Sequence, residues 1–146
     1  MSYSNRELLA RIIKCEAGGE GDNGMKAVAT TIMNRVRIPY GEYHQIGQGD
    51  IRKVIYQKGQ FDCMRSVLGG MPNPQTIWAN PPEEIHYAIA DWALSGNRLF
   101  TVGYSLWYFN PYAPCPYTFP YNGTGRFQVE VANHCFYNPT KLYAQT

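Results

Sequence analysis

Charged and aromatic residues are segregated along this chain, and that segregation constrains its fold. Residues 1–99 carry 21 of the 24 charged side chains, whereas Phe100 to Tyr143 carry 13 of the 21 aromatics. The aromatic block has only Arg126, Glu130 and Lys141 as charges. Chemistry that needs Asp or Glu must therefore come mostly from the N-terminal part. The length of 146 residues suits one domain, residues 1–146, with a hydrophobic core of its own. A net charge of +2 is too small to mark an extended nucleic-acid surface.

Other classes drop out on local grounds. No apolar run approaches the roughly 18–20 residues of a membrane span. Glu7 and Arg11 interrupt the apolar N-terminal residues, so these do not read as a secretory signal. Cys15, Cys63, Cys115 and Cys135 form no CxxC pair, which argues against a zinc ribbon or a thioredoxin-like motif. They leave a disulfide open without fixing the redox compartment.

The periodicity predicts helices in the first two thirds. One runs from Arg6 to about Glu16, capped by Asn5 and closed by Gly18-Gly19. A second runs from Asn23 or Gly24 to Arg37 and stops at Pro39. A short third begins after Asp50 and ends near Gly59. A fourth is capped by Asn80, with Pro81 and Pro82 in its first turn, Gly96 at its end, and Ile85, Ala88, Ile89 and Trp92 inward. Beyond Gly103, Ser105–Phe109, Arg126–Val131 and His134–Tyr137 read as strands. Prolines 111, 114, 116 and 120 break the stretch between the first two into a loop. The expected class is α+β: a helical N-terminal half with a small antiparallel sheet and long loops in the C-terminal third.

Glu16 is the leading candidate for chemistry. Leu8, Leu9, Ile12 and Ile13 form an apolar stripe, and at about 100° per residue Glu16 falls in its middle. A carboxylate so placed loses solvation, and the helix C-terminus further disfavours its charge. Both raise its pKa toward that of a general acid able to protonate a glycosidic oxygen. If the helix ends one residue earlier, Glu16 points to solvent instead. Glu20, four residues on, is the candidate second carboxylate; in an unbroken helix it would share a face with Glu16. The intervening Gly18-Gly19 favours a turn instead, with Glu20 ordering the entry to the next helix. Asp22, Asp50 and Asp62 are equally well explained as cap or turn residues.

The aromatic block reads as a sugar-stacking groove in part and as core in part. Trp107, Tyr108, Tyr121 and His134 are candidate substrate contacts, with Asn110 and Asn122 bonding hydroxyls. Alternation along a strand also allows Trp107 and Phe109 to face the core while Tyr108 faces out. Stacking on nucleic-acid bases would call for a basic groove, and two cations do not make one. His134 and Cys135 are adjacent on a strand and point to opposite faces, which makes a joint ligand role awkward. A Cys15–His134 nucleophile pair has no support from spacing. Cys115 and Cys135 as a disulfide or a buried contact is the plainer option.

Three segments together resemble the SleB/CwlJ family of bacterial cell-wall hydrolases, the spore-cortex-lytic enzymes. LLARIIKCEAGGEGDNGMKAVATTIMNRV (residues 8–36) is similar to the family's Glu-Ala-x-Gly-Glu segment and a helix ending Asn-Arg-Val. VIYQKGQFDC (residues 54–63) resembles its Val-Ile-x-Gln-x-x-x-Phe stretch. SLWYFNPYAPCP, NGTGRF and NHCFYNPT (residues 105–116, 122–127 and 133–140) look most like the short CwlJ branch, from which the insert-like PYNGTGRFQVEVAN departs. The resemblance implies a lysozyme-like catalytic domain that cleaves cortex peptidoglycan glycan strands, with the catalytic glutamate at Glu16. For the SleB branch it implies lytic transglycosylation, which needs no second carboxylate nucleophile. It further implies synthesis in the mother cell, deposition at the boundary of spore coat and cortex with a coat-protein partner, and calcium dipicolinate release as a trigger. No acidic loop resembles an EF-hand, so no calcium site is assigned and no cofactor or metal is expected. Two other readings compete: a peptidoglycan amidase or peptidase with a Cys–His or metal site, and a non-catalytic coat or glycan-binding module.

Overall fold

The computed structural model describes residues 2–146. Six helices come in the order α1 (Asn5–Ala17), α2 (Gly21–Arg37), α3 (Gly41–Gly47), α4 (Ile51–Ile55), α5 (Glu84–Leu94) and α6 (Lys141–Ala144). A two-residue hairpin pairs β1 (Val67–Leu68) with β2 (Met71–Pro72), and the main sheet contains β3 (Trp107–Phe109), β4 (Gly125–Val131) and β5 (His134–Pro139). The three main strands are antiparallel in the order β3-β5-β4.

Helix α2 is buried along most of its length and forms the centre of the molecule, in contact with α1, α5, α3 and α4. Three of its interior polar residues, Thr30, Asn34 and Arg35, bond to one later stretch of chain. Thr30 Oγ1 accepts from Leu99 N at 3.0 Å, and Asn34 Nδ2 donates to the carbonyls of Gly103 and Ser105, both at 3.0 Å. The buried Arg35 guanidinium donates through Nε to Leu106 O at 2.7 Å, and lies over the Tyr43 ring at 4.6 Å. An unpaired buried polar group would cost about 1–3 kcal/mol, so these bonds lock residues 99–106 onto α2. They also set the entry angle of β3, and with it Tyr108.

The sheet separates two apolar clusters. On its helical side Phe136, Tyr108, Val129 and Val131 pack on the α1, α2 and α5 core. On the other side Trp107, Cys135 and Tyr137 join Tyr43, Leu106 and Tyr143, with Phe109 and Phe119 against them. A register shift in β4 makes this possible. Phe127 pairs with Tyr137 and Val129 with Phe136, leaving Gln128 as the extra residue. Side chains alternate at a period of two, so the bulge turns Val129 and Val131 onto the helical face.

Several local expectations shift. Ser4 rather than Asn5 caps α1, its hydroxyl accepting from Glu7 N at 3.1 Å. Helix α5 begins after Glu83, which exchanges capping-box bonds with His86. Its phase is rotated: Ile85 and Ala88 face outward, while His86, Ile89, Ala90 and Ala93 are buried. The buried face follows the wall that α1 and α2 present, which α5's own apolar spacing does not reveal. Asp50 caps α4 as expected, accepting from Arg52 N at 2.9 Å.

Candidate active site

Helix α1 carries Cys15 and Glu16 in its last turn, and the chain leaves it through Gly18 and Gly19. Residue Glu20 stands at the N-cap of α2, outside the helical conformation, so Glu16 and Glu20 do not share one helix face. Both nevertheless line one cleft of about 600 Å³, together with Lys14, Gln75, His86, Asn110, Tyr112, Asn133 and His134.

Glu16 lies under this cleft against the apolar core. Its Oε1 accepts from the Tyr108 hydroxyl at 2.5 Å. Its Oε2 lies 3.0 Å from Cys63 Sγ, but that sulfur is bonded to Cys15 and has no proton to donate. Burial raises the Glu16 pKa above the usual carboxylate value; the Tyr108 hydrogen bond opposes this, nearby Asp62 adds to it, and Arg35 opposes it weakly. The direction is the one inferred from the apolar stripe, with desolvation as the leading cause. The Tyr108 hydroxyl is itself held far above its ordinary pKa by burial and by Glu16, so it remains a donor.

Glu20 engages the β4–β5 turn. Its Oε2 lies 2.5 Å from His134 Nδ1, and its Oε1 accepts from Asn133 N at 3.1 Å. The His134 ring stands edge-on to Tyr108, with centroids 5.4 Å apart. A continuous line of side chains therefore runs from Glu16 through Tyr108 and His134 to Glu20.

Three expected substrate contacts lie elsewhere. Trp107 is on the opposite sheet face from Tyr108, buried against Tyr43 and Tyr143. Tyr121 is exposed and stands edge-on to Phe119, away from the cleft. Asn122 spends its Oδ1 on the turn, accepting from Thr124 N and Oγ1 at 3.1 and 2.7 Å. Tyr108 is a supporting residue beneath Glu16, not an open stacking platform. Asn110 and His134 do face the cleft.

The cysteines form two disulfides, Cys15–Cys63 and Cys115–Cys135. The second was one of the options left open in the sequence. The first, 48 residues apart in sequence, had no local signal and rules out the Cys15–His134 nucleophile pairing in this state. Also unanticipated is His86 on the cleft wall, whose Nδ1 accepts from Glu83 N at 2.9 Å. Burial, then the charge of Lys14, lowers its pKa and favours the neutral ring.

A helical core, a small antiparallel sheet and a half-buried glutamate lining a cleft define an α+β, lysozyme-like fold. Two solved structures share it. The catalytic domain of the germination-specific lytic transglycosylase SleB from Bacillus anthracis superimposes with TM-score 0.67 at 22% identity, over 94% of this chain and 97% of that one. The catalytic domain of the Bacillus cereus SleB protein gives 0.67 at 23%, over 94% and 93%. In sequence, the chain is 31% identical to the cell wall hydrolase CwlJ of Bacillus subtilis over 134 residues, 92% of this chain and 84% of the relative. It is 30% identical to CwlJ of Halalkalibacterium halodurans over 92% of this chain and 85% of that protein. The Cell Wall Hydrolase family model matches residues 19–137, and the chain belongs to that family. The matched stretch includes Glu20, Asn110 and His134 and begins beyond Glu16.

Proposed function

We propose that this chain cleaves the glycan strands of spore-cortex peptidoglycan next to N-acetylmuramic acid, as a lytic transglycosylase during germination. The observation that carries this reading is Glu16: a carboxylate lining a 600 Å³ cleft, its pKa raised by burial. In its acid form Glu16 donates a proton to the bridging oxygen, and the glycosidic C–O bond breaks. The resulting carboxylate then takes the proton of the sugar's own C6 hydroxyl as that oxygen bonds to C1, which closes an anhydro ring. One residue thus serves as acid and then base. Tyr108 holds one Glu16 oxygen and leaves the other to exchange the proton. Glu20 acts as the second carboxylate of the site by fixing His134, which with Asn110 binds sugar polar groups. The likeness of the fold to a lytic transglycosylase catalytic domain supports the reaction class, and membership of the cell wall hydrolase family supports the substrate. The same reading places the protein at the boundary of coat and cortex with a coat-protein partner, and calcium dipicolinate as trigger.

Purified cortex digested with the protein and analysed by mass spectrometry tests this. Anhydromuramic ends are expected. Reducing ends would overturn the transglycosylase step, freed peptides would indicate an amidase or peptidase, and binding without fragments would indicate a non-catalytic module. Glu16→Gln is expected to abolish lysis with the circular dichroism unchanged, a loss of about 10²–10⁴-fold for a general acid. A fully active variant refutes the assignment.

A further inference from the structure

Among the described residues, one group of three potential ligands is gathered closely enough to hold a metal ion: Cys15, Glu16 and Cys63, with one donor atom from each within 4.8 Å of the others. Two of the donors are tied up in the Cys15–Cys63 disulfide. We propose that reduction of this disulfide converts the candidate catalytic centre into a soft-metal site, with Cys15, Cys63 and Glu16 as its protein ligands, that holds Zn²⁺ or Cd²⁺ and silences the enzyme.

The geometry of the elements carries this. Cys15 and Glu16 are neighbours in the last turn of α1, and Cys63 lies in the short 3-10 turn Asp62–Met64 that packs on it. With Zn–S bonds near 2.3 Å, two thiolates around a tetrahedral ion stand roughly 3.8 Å apart. The Cα atoms of Cys15 and Cys63 are 6.2 Å apart, a span that serves a shared metal as readily as a disulfide. The Glu16 carboxylate is already at hand, its Oε2 3.0 Å from Cys63 Sγ. Space for the ion and a water ligand exists in an adjoining cavity of about 360 Å³, lined also by Asp62, Asn73 and Gln75. Two thiolates and one carboxylate make the donor set that favours zinc-group ions over calcium or magnesium.

The chemistry balances with a phosphine reductant. The phosphine takes oxygen from water and becomes its oxide, the S–S bond breaks, and each sulfur gains a proton. The ion then displaces both thiol protons and binds Glu16 as carboxylate. A metal-bound Glu16 cannot carry the proton that the proposed reaction needs. This blocking effect rests on the reading of Glu16 as the acid, whereas metal uptake does not.

The full chain, reduced with a phosphine and desalted without oxygen, would be titrated with Cd²⁺ alone and followed by thiolate charge-transfer absorption, with circular dichroism in parallel. Expected are one Cd²⁺ per reduced chain and none per oxidised chain. The Cys15→Ser/Cys63→Ser double variant, which keeps Cys115 and Cys135, should show no band. Reduced Glu16→Gln should keep the band with affinity weakened at least about tenfold. Zn²⁺ should stop lysis by the reduced protein, reversibly on chelation, and leave the oxidised protein unaffected. The site is overturned by no uptake on reduction, by uptake in the double variant, by unchanged affinity in Glu16→Gln, or by loss of the fold on reduction. Uptake as expected with lysis undiminished by Zn²⁺ would overturn the silencing and leave the metal site standing.

Discussion

Replacing Tyr108 with Phe removes one oxygen atom and isolates what that hydroxyl does for Glu16. The ring keeps its packing against Phe136 and His134, at centroid distances of 5.7 and 5.4 Å. What is lost is the 2.5 Å donor to Glu16 Oε1. A hydrogen bond to a charged group contributes about 1.5–3 kcal/mol, and tenfold in proton affinity corresponds to about 1.4 kcal/mol. The bond favours the ionised carboxylate and opposes the effect of burial. Its removal therefore raises the Glu16 pKa further. Activity that needs protonated Glu16 fades as pH rises through its pKa, so the alkaline limb of kcat/KM against pH should move upward in Tyr108→Phe. The assay is the initial rate of release from dye-labelled cortex fragments across pH 4–9. Stability should follow the same sign. Above the Glu16 pKa the variant unfolds more readily than the parent, and the difference narrows in acid, where the carboxyl is neutral. An alkaline limb that stays in place, or moves down, would refute the role assigned to Tyr108.

Other outcomes follow from neighbouring contacts. Because burial raises the Glu16 pKa above its unfolded value, this group favours folding in acid, and its contribution is lost as pH rises through the folded value. Glu16→Gln should therefore gain thermal stability relative to the parent as pH increases; a gap independent of pH would contradict the perturbed carboxyl. Glu20→Ala leaves Asn133 N without its acceptor and removes the carboxylate beside His134, and should cost about 0.5–1.5 kcal/mol in denaturant unfolding. It should also reduce lysis more than Glu20→Gln, which keeps an acceptor; equal activity in the two would remove Glu20 from the positioning of His134. Gly125→Ala would drive a Cβ into Phe119 O and place it 2.9 Å from the Trp107 ring. Overpacking of this kind costs about 1–3 kcal/mol, so a midpoint equal to the parent's would show that the loop before β4 yields freely.

Much of the architecture can be read from short-range pattern. Periodicity located α1, α2 and α5 and the three main strands, and the step from apolar stripe to perturbed Glu16 needed only helix geometry. Helix α3 escaped because GEYHQIG is short, rich in glycine and polar, and is held by distant contacts: Tyr43 N donates to the Tyr143 hydroxyl at 3.0 Å. The roles of Trp107, Tyr121 and Asn122 escaped for a related reason. Composition shows that aromatics and amides are abundant, but a strand alternates its faces, and only packing decides which face meets the cleft.

The residues by themselves determined the class of fold, the segregation of carboxylates from aromatics and the candidacy of Glu16, because each can be read from composition along the chain or from spacing within one helix or strand. Only the tertiary structure decided that Tyr108 and Cys63 contact that carboxyl, that Glu20 turns to His134, and that Cys15 is bonded to Cys63. Those contacts join positions between 47 and 114 residues apart. The contacts that reach the sheet, at Tyr108 and His134, exist because the buried polar groups of α2 fasten residues 99–106 in place, and because a one-residue bulge in β4 turns the sheet's apolar side to the helices. No local pattern encodes either condition; each is set by the need to satisfy buried polar groups and close the core at the same time.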